Sequence, residues 1–427
     1  MFSTIKSILR DTLPYRRYKR IRAKFAAHIH HYPAEKLFII GATGTDGKTT
    51  TCTLVYHLLK SAGYKTVFIG TTGAEIDGKE VEGVEKMTSY DPMDLQNILE
   101  NAVQYGCTHA VIEVSSHGLE QNRFDYVSFH CAGLTNITAE HLDYHKNIDR
   151  YASSKQKLFY KLQKSGNKGT AVLPLDDDFG KRRSQRMRFG KTYTFGFGNN
   201  AQLQATHIVE HEKHTDFILN FMGQKHQIKT PLVGKFNVQN VLAAIGLVLG
   251  AGVPLTTILE HIPTYVQAKG RQHHVHLGGI DRYIDYAHTP NGLEMMLSYL
   301  ESIKKGGRVI CLFGAPGLRD RAKRPEMGRV AERIADIIIL TDDDAASENR
   351  RQIIRDVLPG IQRQEGSTFA ILPDRRTAIR YACLIAKPGD KVLLAGIGHQ
   401  KVLLTNAGKI ARDEEQVLIE ERNAKKV

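Results

Sequence analysis

The stretch LFIIGATGTDGKTTT, residues 37–51, joins four apolar residues to a glycine-rich turn and then to Lys48-Thr49 at the head of an amphipathic run. An apolar strand feeding such a turn brings backbone N–H groups and a helix start around phosphate oxygens. Lys48 adds a mobile positive charge and Thr49 offers a hydroxyl to Mg²⁺. The spacing implies a site for ATP or GTP. The strict phosphate-loop pattern has glycine six places before the lysine, where this chain has Ala42. A turn of purely structural use has no need of Lys48 and Thr49 beside it.

Outward from this loop, strands alternate with helices, which implies α/β architecture with largely parallel sheets. Residues 67–70, 109–114 and 132–136 read as buried strands, separated by helical patterns at 49–61 and 93–105. Between 170 and 229 short β-like runs such as KTYTFGF and DFILNF suggest an accessory sheet, before FNVQNVLAAIGLVLGAG resumes a helix. From about Gly270 the pattern restarts with RYIDYA, RVICLFG, DIIIL and DKVLLAG, a second, Rossmann-like unit. The boundary is expected between Tyr265 and Gln272, which divides the chain into 1–36, 37–267 and 268–427.

A chain of 427 residues exceeds one compact core. Its 41% apolar and 24% charged residues are those of a globular protein, and no apolar run approaches the ~20 residues that cross a bilayer. No secretory signal is read at the N-terminus. Five scattered cysteines fit reduced thiols and hence a cytoplasmic home. Of the net charge of +14, half comes from residues 1–36, which hold nine Lys/Arg against Asp11 and Glu35. Tyr18, Ile21, Phe25 and Ile29 fall there at helical spacing among Arg16, Arg17, Lys19, Arg20, Arg22 and Lys24. Two readings of this basic amphipathic helix stay open: residues 1–30 touch anionic lipid, or the helix docks on its own domain with a solvated basic face. Nucleic acid is not expected, since no recognition module accompanies the charge.

Acidic and imidazole groups gather at strand ends, where open α/β sheets bind ligands. Glu113 closes the strand HAVIEV and is placed to hold Mg²⁺ or to cap the next helix. In NITAEHLDYH, Glu140, His141, Asp143 and His145 crowd one loop. By spacing alone each histidine reads as structural, and proximity to the phosphate site raises the metal reading.

GATGTDGKTTT, EVSSHGLEQNR, TNITAEHLDYHKNIDRYASSK, FNVQNVLAAI, GRQHH, DYAHTP, FGAPGLRDRAKRPEMG and AGIGHQ occur in the order seen in Mur ligases. From residue 37 to the C-terminus the chain resembles that family, closest to the branch that adds the third residue of the peptidoglycan stem peptide. The resemblance implies ATP and Mg²⁺ as cofactors, with Gly44, Thr45, Asp46, Gly47, Lys48, Thr49 and Thr50 around the phosphates. It puts Asn240 at adenine, and Arg271 and Asp285 at the nucleotide after domain closure. It assigns the metal to Thr49, Glu113, His141 and Lys155, the last as a CO₂-derived carbamate, with Lys48, Lys155 and His141 catalytic. Thr88, Ser89, Ser115, Gln121 and Arg123 match positions that hold the muramoyl-peptide, and Arg319, Asp343, Gly396 and Gln400 those around the incoming amino acid. The implied reaction is phosphorylation of a carboxylate by ATP, then attack of an amine on the acyl phosphate, with His288 or Asp285 orienting groups.

Three departures stand beside the resemblance. Only 36 residues precede the first strand, where the family has a domain that grips UDP. The acceptor therefore lacks UDP, or is lipid-linked and met at a membrane through the basic helix, or has its handle supplied by another protein. The Asp-Asn-Pro-Arg motif for diaminopimelate reads Asp343-Asp344-Ala345-Ala346, and Gln400 stands for a glutamate, which argues against diaminopimelate and leaves lysine or another amino acid open. Thr-Thr-Pro reads Thr88-Ser89-Tyr90, Leu318 replaces an acid and Asp46 an asparagine. A family ligase acting on an amino-acid polymer or polyglutamate, and a non-catalytic nucleotide-binding scaffold, are the alternatives.

Overall fold

A computed structural model of the chain describes residues 12–84, 86–164, 169–268, 270–398, 402–405, 408–411 and 413–424. The stretch quoted first forms β1 (Phe38–Thr43), the turn, and α2 (Lys48–Ser61), preceded by α1 (Leu13–Ile29). Alternation along β1 sends Ile39 to one core and Ile40 and Ala42 to the other, so both faces of the strand are covered. Its parallel neighbours are β5 (His109–Glu113) and β6 (Cys131–Leu134). In this register Ala42 lies beside Glu113, which sets the acid at the level of the loop.

The sheet continues on one side through β2 (Thr66–Gly70), β3 (Gly73–Ile76) and β4 (Lys79–Glu80), and on the other through β7 (Thr170–Pro174) to β11. The runs expected as an accessory sheet, β8 (Lys191–Gly196), β9 (Leu203–Glu210), β10 (Thr215–Phe221) and β11 (Gln224–Thr230), instead extend this one sheet to eleven strands. The reason is edge pairing: β7 presents open N–H and C=O groups, and β8 satisfies them in parallel from Thr170↔Lys191 to Pro174↔Phe195. The helices α3 (Pro92–Gln104) and α4 (Ile148–Lys164) lie with one core, and α2 and α5 (Lys235–Gly250) with the other.

A second sheet starts at β12 (His273–Leu277) and holds β13 (Ile280–Asp285), β14 (Val309–Phe313), β15 (Ile337–Leu340), β16 (Phe369–Ile371) and β17 (Lys391–Ala395). Its order is β12-β13-β17-β14-β15-β16, and every pair but β12–β13 is parallel. The helices that matter below are α6 (Pro290–Ile303), whose N-cap Thr289 accepts from Gly292 N, and α7 (Lys323–Ile334).

The first helix docks on its own domain. It packs on α3, and its Ala23, Ala26 and Ala27 are all at most 1% exposed. The stripe read as apolar faces outward, with Tyr18 53%, Ile21 66%, Phe25 60% and Ile29 44% exposed. All five cysteines are buried, and among the described residues no helix is long and apolar enough to cross a membrane.

Candidate active site

The phosphate loop is shaped by two glycines. Gly44 lies so close to β6 that an added Cβ would meet Thr135 Oγ1 at 1.7 Å, and Gly47, at φ +81°, would place one 2.1 Å from Asn240 Oδ1. Lys48 Nζ donates to the loop carbonyls of Gly44 and Thr45, each at 2.8 Å. Burial pushes its ammonium below the usual lysine range, opposed by Glu113 and Asp46. Thr49 Oγ1 donates to Glu113 Oε2 at 3.1 Å, and Thr50 lines the same cleft.

Glu113 is fully buried at the end of β5. It accepts from Thr71 N at 3.1 Å and Thr71 Oγ1 at 2.9 Å, and Gly70 leaves it room, since a Cβ there would fall 2.3 Å from Oε1. A hydroxyl and a buried carboxylate in contact at the loop are hard oxygen donors of the kind Mg²⁺ takes.

Lys155, which as a sequence passes for an exposed helix lysine, is 1% exposed and donates from Nζ to Gly44 O at 2.6 Å. Burial, then the nearby Lys48 charge, holds it well below the usual lysine range. His141 sits at φ +56°, and burial together with His117 keeps its imidazole neutral. Beside it, Glu140 Oε1 accepts from Lys323 Nζ at 3.0 Å, with both side chains 4% exposed, while Glu140 Oε2 is buried without a hydrogen-bond partner. The rest of the crowded loop divides: His145 pairs with Ser116 Oγ at 3.0 Å in the interior and Asp143 is exposed.

The second sheet reaches across to the loop. Arg271 Nη2 donates to Thr49 Oγ1 at 3.2 Å with its guanidinium over the Tyr286 ring, and its Nε is buried without a partner. Thr289 Oγ1 and Asn291 Nδ2 donate to the two carboxylate oxygens of Asp46 at 3.2 and 2.8 Å. Asp285 accepts from Gln272 N at 2.6 Å, and burial raises its carboxyl to about 6 against the pull of Arg271. Asn240 is 5% exposed, donates to Asn237 Oδ1 at 2.9 Å and lies against Gly47. Burial, then Lys323, keeps His288 neutral.

Between the sheets lies a cleft of about 650 Å³. At one end Ser89 Oγ and Ser115 Oγ are 2.8 Å apart, Thr88 Oγ1 is 2.9 Å from Thr71 Oγ1, and Arg123 donates to Gln121 Oε1 and Ser89 O. At the other end are Arg319, Asp343 and Gly396. Asp343 Oδ2 is buried without a partner, and a Cβ on Gly396 would approach it to 2.1 Å. Gln400 lies outside the described residues. The sequence assigns no role to Thr71, Lys323, Thr289 or Asn291; of these, Lys323 lies inside the motif FGAPGLRDRAKRPEMG and Thr289 inside DYAHTP.

A phosphate loop on one α/β unit, faced by cations and carboxylates of a second across one cleft, defines an ATP-dependent ligase of the two-body kind. The model of the Mur ligase middle domain matches residues 42–248, and that of the Mur ligase glutamate ligase domain matches 270–398. The chain is 38% identical over 411 residues to a UDP-N-acetylmuramoyl-L-alanyl-D-glutamate–2,6-diaminopimelate ligase of Thermosynechococcus vestitus, covering 96% of this chain and 80% of the relative. It is 36% identical to the ligase of that name from Clostridium botulinum, covering 94% and 81%. A solved structure of a ligase with that name superposes with TM-score 0.65 at 30% identity, covering 96% and 84%. Folylpolyglutamate synthase of Mycobacterium tuberculosis shares the fold, at TM-score 0.73 and 15% identity over 88% and 92%. The chain belongs to the Mur ligase family, and it is an ATP-dependent enzyme that forms C–N bonds in peptidoglycan precursor synthesis.

Proposed function

We propose that this ligase joins an amino acid to a muramoyl-dipeptide-type acceptor, with 37–267 and 268–427 as its two working bodies. The observation that carries the reading is the single cleft lined by Lys48, Thr49 and His141 together with Ser89, Arg123, Arg319 and Asp343, with Glu113 and Lys155 buried against its phosphate loop through Thr49 Oγ1 and Gly44 O. ATP phosphates lie on Gly44 to Thr50, with Asn240 toward adenine and Arg271 and Asp285 closing from the second body. Thr49, Glu113, neutral His141 and a carbamate on Lys155 would hold Mg²⁺, which offsets the charge of two approaching anions.

The acceptor rests on Thr88, Ser89, Ser115, Gln121 and Arg123. Its carboxylate oxygen attacks the γ-phosphorus, ADP leaves, and Lys48 steadies the charge that builds on the transferred group. The amine of the incoming amino acid, seated by Arg319, Asp343 and Gly396, attacks the carbonyl carbon. Phosphate departs with the former carboxylate oxygen, and the amine loses a proton. Holding both reactants between two bodies supplies much of the rate. Asp343-Asp344-Ala345-Ala346 offers no arginine to fork onto a second carboxylate, so the amino acid is lysine or another without diaminopimelate's extra acid. The enzyme works in the cytoplasm, and the outward stripe of α1 suits peripheral contact with a membrane.

Incubation with ATP, Mg²⁺, UDP-muramoyl-dipeptide and mixed amino acids tests this by product mass. One new amide of a single amino acid is expected. ATP binding without phosphate release for any muramoyl-dipeptide and amino-acid pair overturns it.

A further inference from the structure

The exposed stripe of α1 and the acceptor end of the cleft share their supports. Arg22 Nη2 binds Asp91 Oδ1 at 2.8 Å, and Asp91 caps α3 two residues after Ser89. Arg20 lies 3.9 Å from Asp125, two residues after Arg123. Tyr32, three residues past the helix, has its ring 6.2 Å from that of Tyr126. The helix is thus fastened to the two segments that carry Ser89 and Arg123.

Its outward surface has the composition of an interfacial helix. At 100° per residue Tyr18, Ile21, Phe25 and Ile29 fall within about 80° of arc. Arg17 and Lys24 flank one edge, Lys19 and Arg22 the other, and no acidic residue occurs in Leu13–Ile29. A helix docked for its own stability turns its large apolar side chains inward; this one buries alanines and leaves its aromatic and β-branched residues in water. Cations framing a narrow apolar stripe complement anionic headgroups over acyl chains.

We infer that α1 seats the enzyme on an anionic phospholipid surface and so brings the Ser89–Arg123 end of the cleft to an acceptor held on that membrane by a lipid anchor. The inference rests on the reading of those residues as the acceptor's seat. The stripe enters the interface while the alanine face stays on α3, so docking needs no unfolding.

The test is co-sedimentation of the full chain, without nucleotide, with vesicles of phosphatidylglycerol and phosphatidylcholine in equal parts and with phosphatidylcholine alone. Binding is expected to the anionic vesicles. Arg17→Ala with Lys24→Ala weakens it about twenty-five-fold, at roughly fivefold per cation. Ile21→Ser with Phe25→Ser weakens it by about tenfold or more, with melting temperature unchanged. Wild-type protein left in the supernatant with both vesicles overturns the inference, as does a dimer that the serine variant converts to monomer, since a second copy then covers the stripe. In a second arm, phosphate release is followed with muramoyl-dipeptide free in solution and with the same acceptor tethered by an acyl chain to anionic vesicles. The serine variant keeps the solution rate and loses the vesicle rate; equal loss in both contradicts the placement. Absence of phosphate release from wild type in both arms is a failure of the ligase reading and leaves the vesicle-binding result to decide the docking.

Discussion

Replacing Lys323 by methionine takes the cation away from a buried pair that spans the two bodies. Lys323 Nζ lies 3.0 Å from Glu140 Oε1, both side chains are 4% exposed, and Glu140 Oε2 has no other hydrogen-bond partner. Removing one member of such a pair costs about 3–5 kcal/mol, because a charge stays buried without compensation. That cost is paid only while the cleft is closed. At the lower figure it multiplies the open population by about 150-fold. Burial already raises the Glu140 carboxyl and Lys323 draws it down; without Lys323 it rises further. The closed form then binds more protons than the open one, so closure in the variant holds at low pH and is lost as pH rises through the closed-state pKa of Glu140. Spin labels at exposed Met222 and Leu384, one on each body, report the separation. The expected outcome is a longer distance in Lys323→Met at pH 8 that shortens in acid, with Glu140→Gln restoring closure in the double variant. An unchanged distance distribution in the single variant, or a double variant as open as the single, refutes the reasoning.

Lys155→Ala is expected to lower phosphate release by about a hundredfold or more, the scale of one lost electrostatic group in a closed site, with partial recovery in added acetate; full activity without additive removes the carbamate. Gly47→Ala forces a left-handed backbone onto alanine, worth about 1–2 kcal/mol, and sets Cβ 2.1 Å from Asn240 Oδ1; the melting temperature is expected to fall by several degrees and calorimetry to show weaker ATP binding, and an unchanged melting temperature contradicts the strain. Asp285, raised from 3.8 to about 6, stabilises the fold below its unfolded pKa, and that contribution is lost as pH rises through 6. About two pKa units correspond to roughly 3 kcal/mol. Denaturation of Asp285→Asn is therefore expected to gain up to that amount on wild type between pH 4 and pH 8, and no change in the difference contradicts the burial argument.

How much of this was legible follows from which interactions are local. The loop was readable because glycine, lysine and threonine act there through the backbone of one turn, and β1 through alternation. Lys155 was not, since Ile148–Lys164 is rich in polar residues and nothing nearby in sequence tells that Gly44 O waits for its Nζ. Asp46 looked like a phosphate-loop variant, whereas its partners Thr289 and Asn291 come from more than 240 residues away. The strands after 170 were recognised as strands, but sheet membership depends on which edge is open, and that edge belongs to β7. In α1 the hydrophobic spacing picks out a stripe and points it equally well inward or outward; in the fold it is Ala23, Ala26 and Ala27 that are buried, and the stripe is exposed.

The central chemical claim is that the acceptor's carboxylate is phosphorylated before it meets the amine. An acceptor labelled with ¹⁸O in that carboxylate, turned over with ATP and the amino acid identified by product mass, puts the claim to measurement in the released phosphate. One labelled oxygen per phosphate is the expected result; unlabelled phosphate, or label carried into AMP, contradicts it.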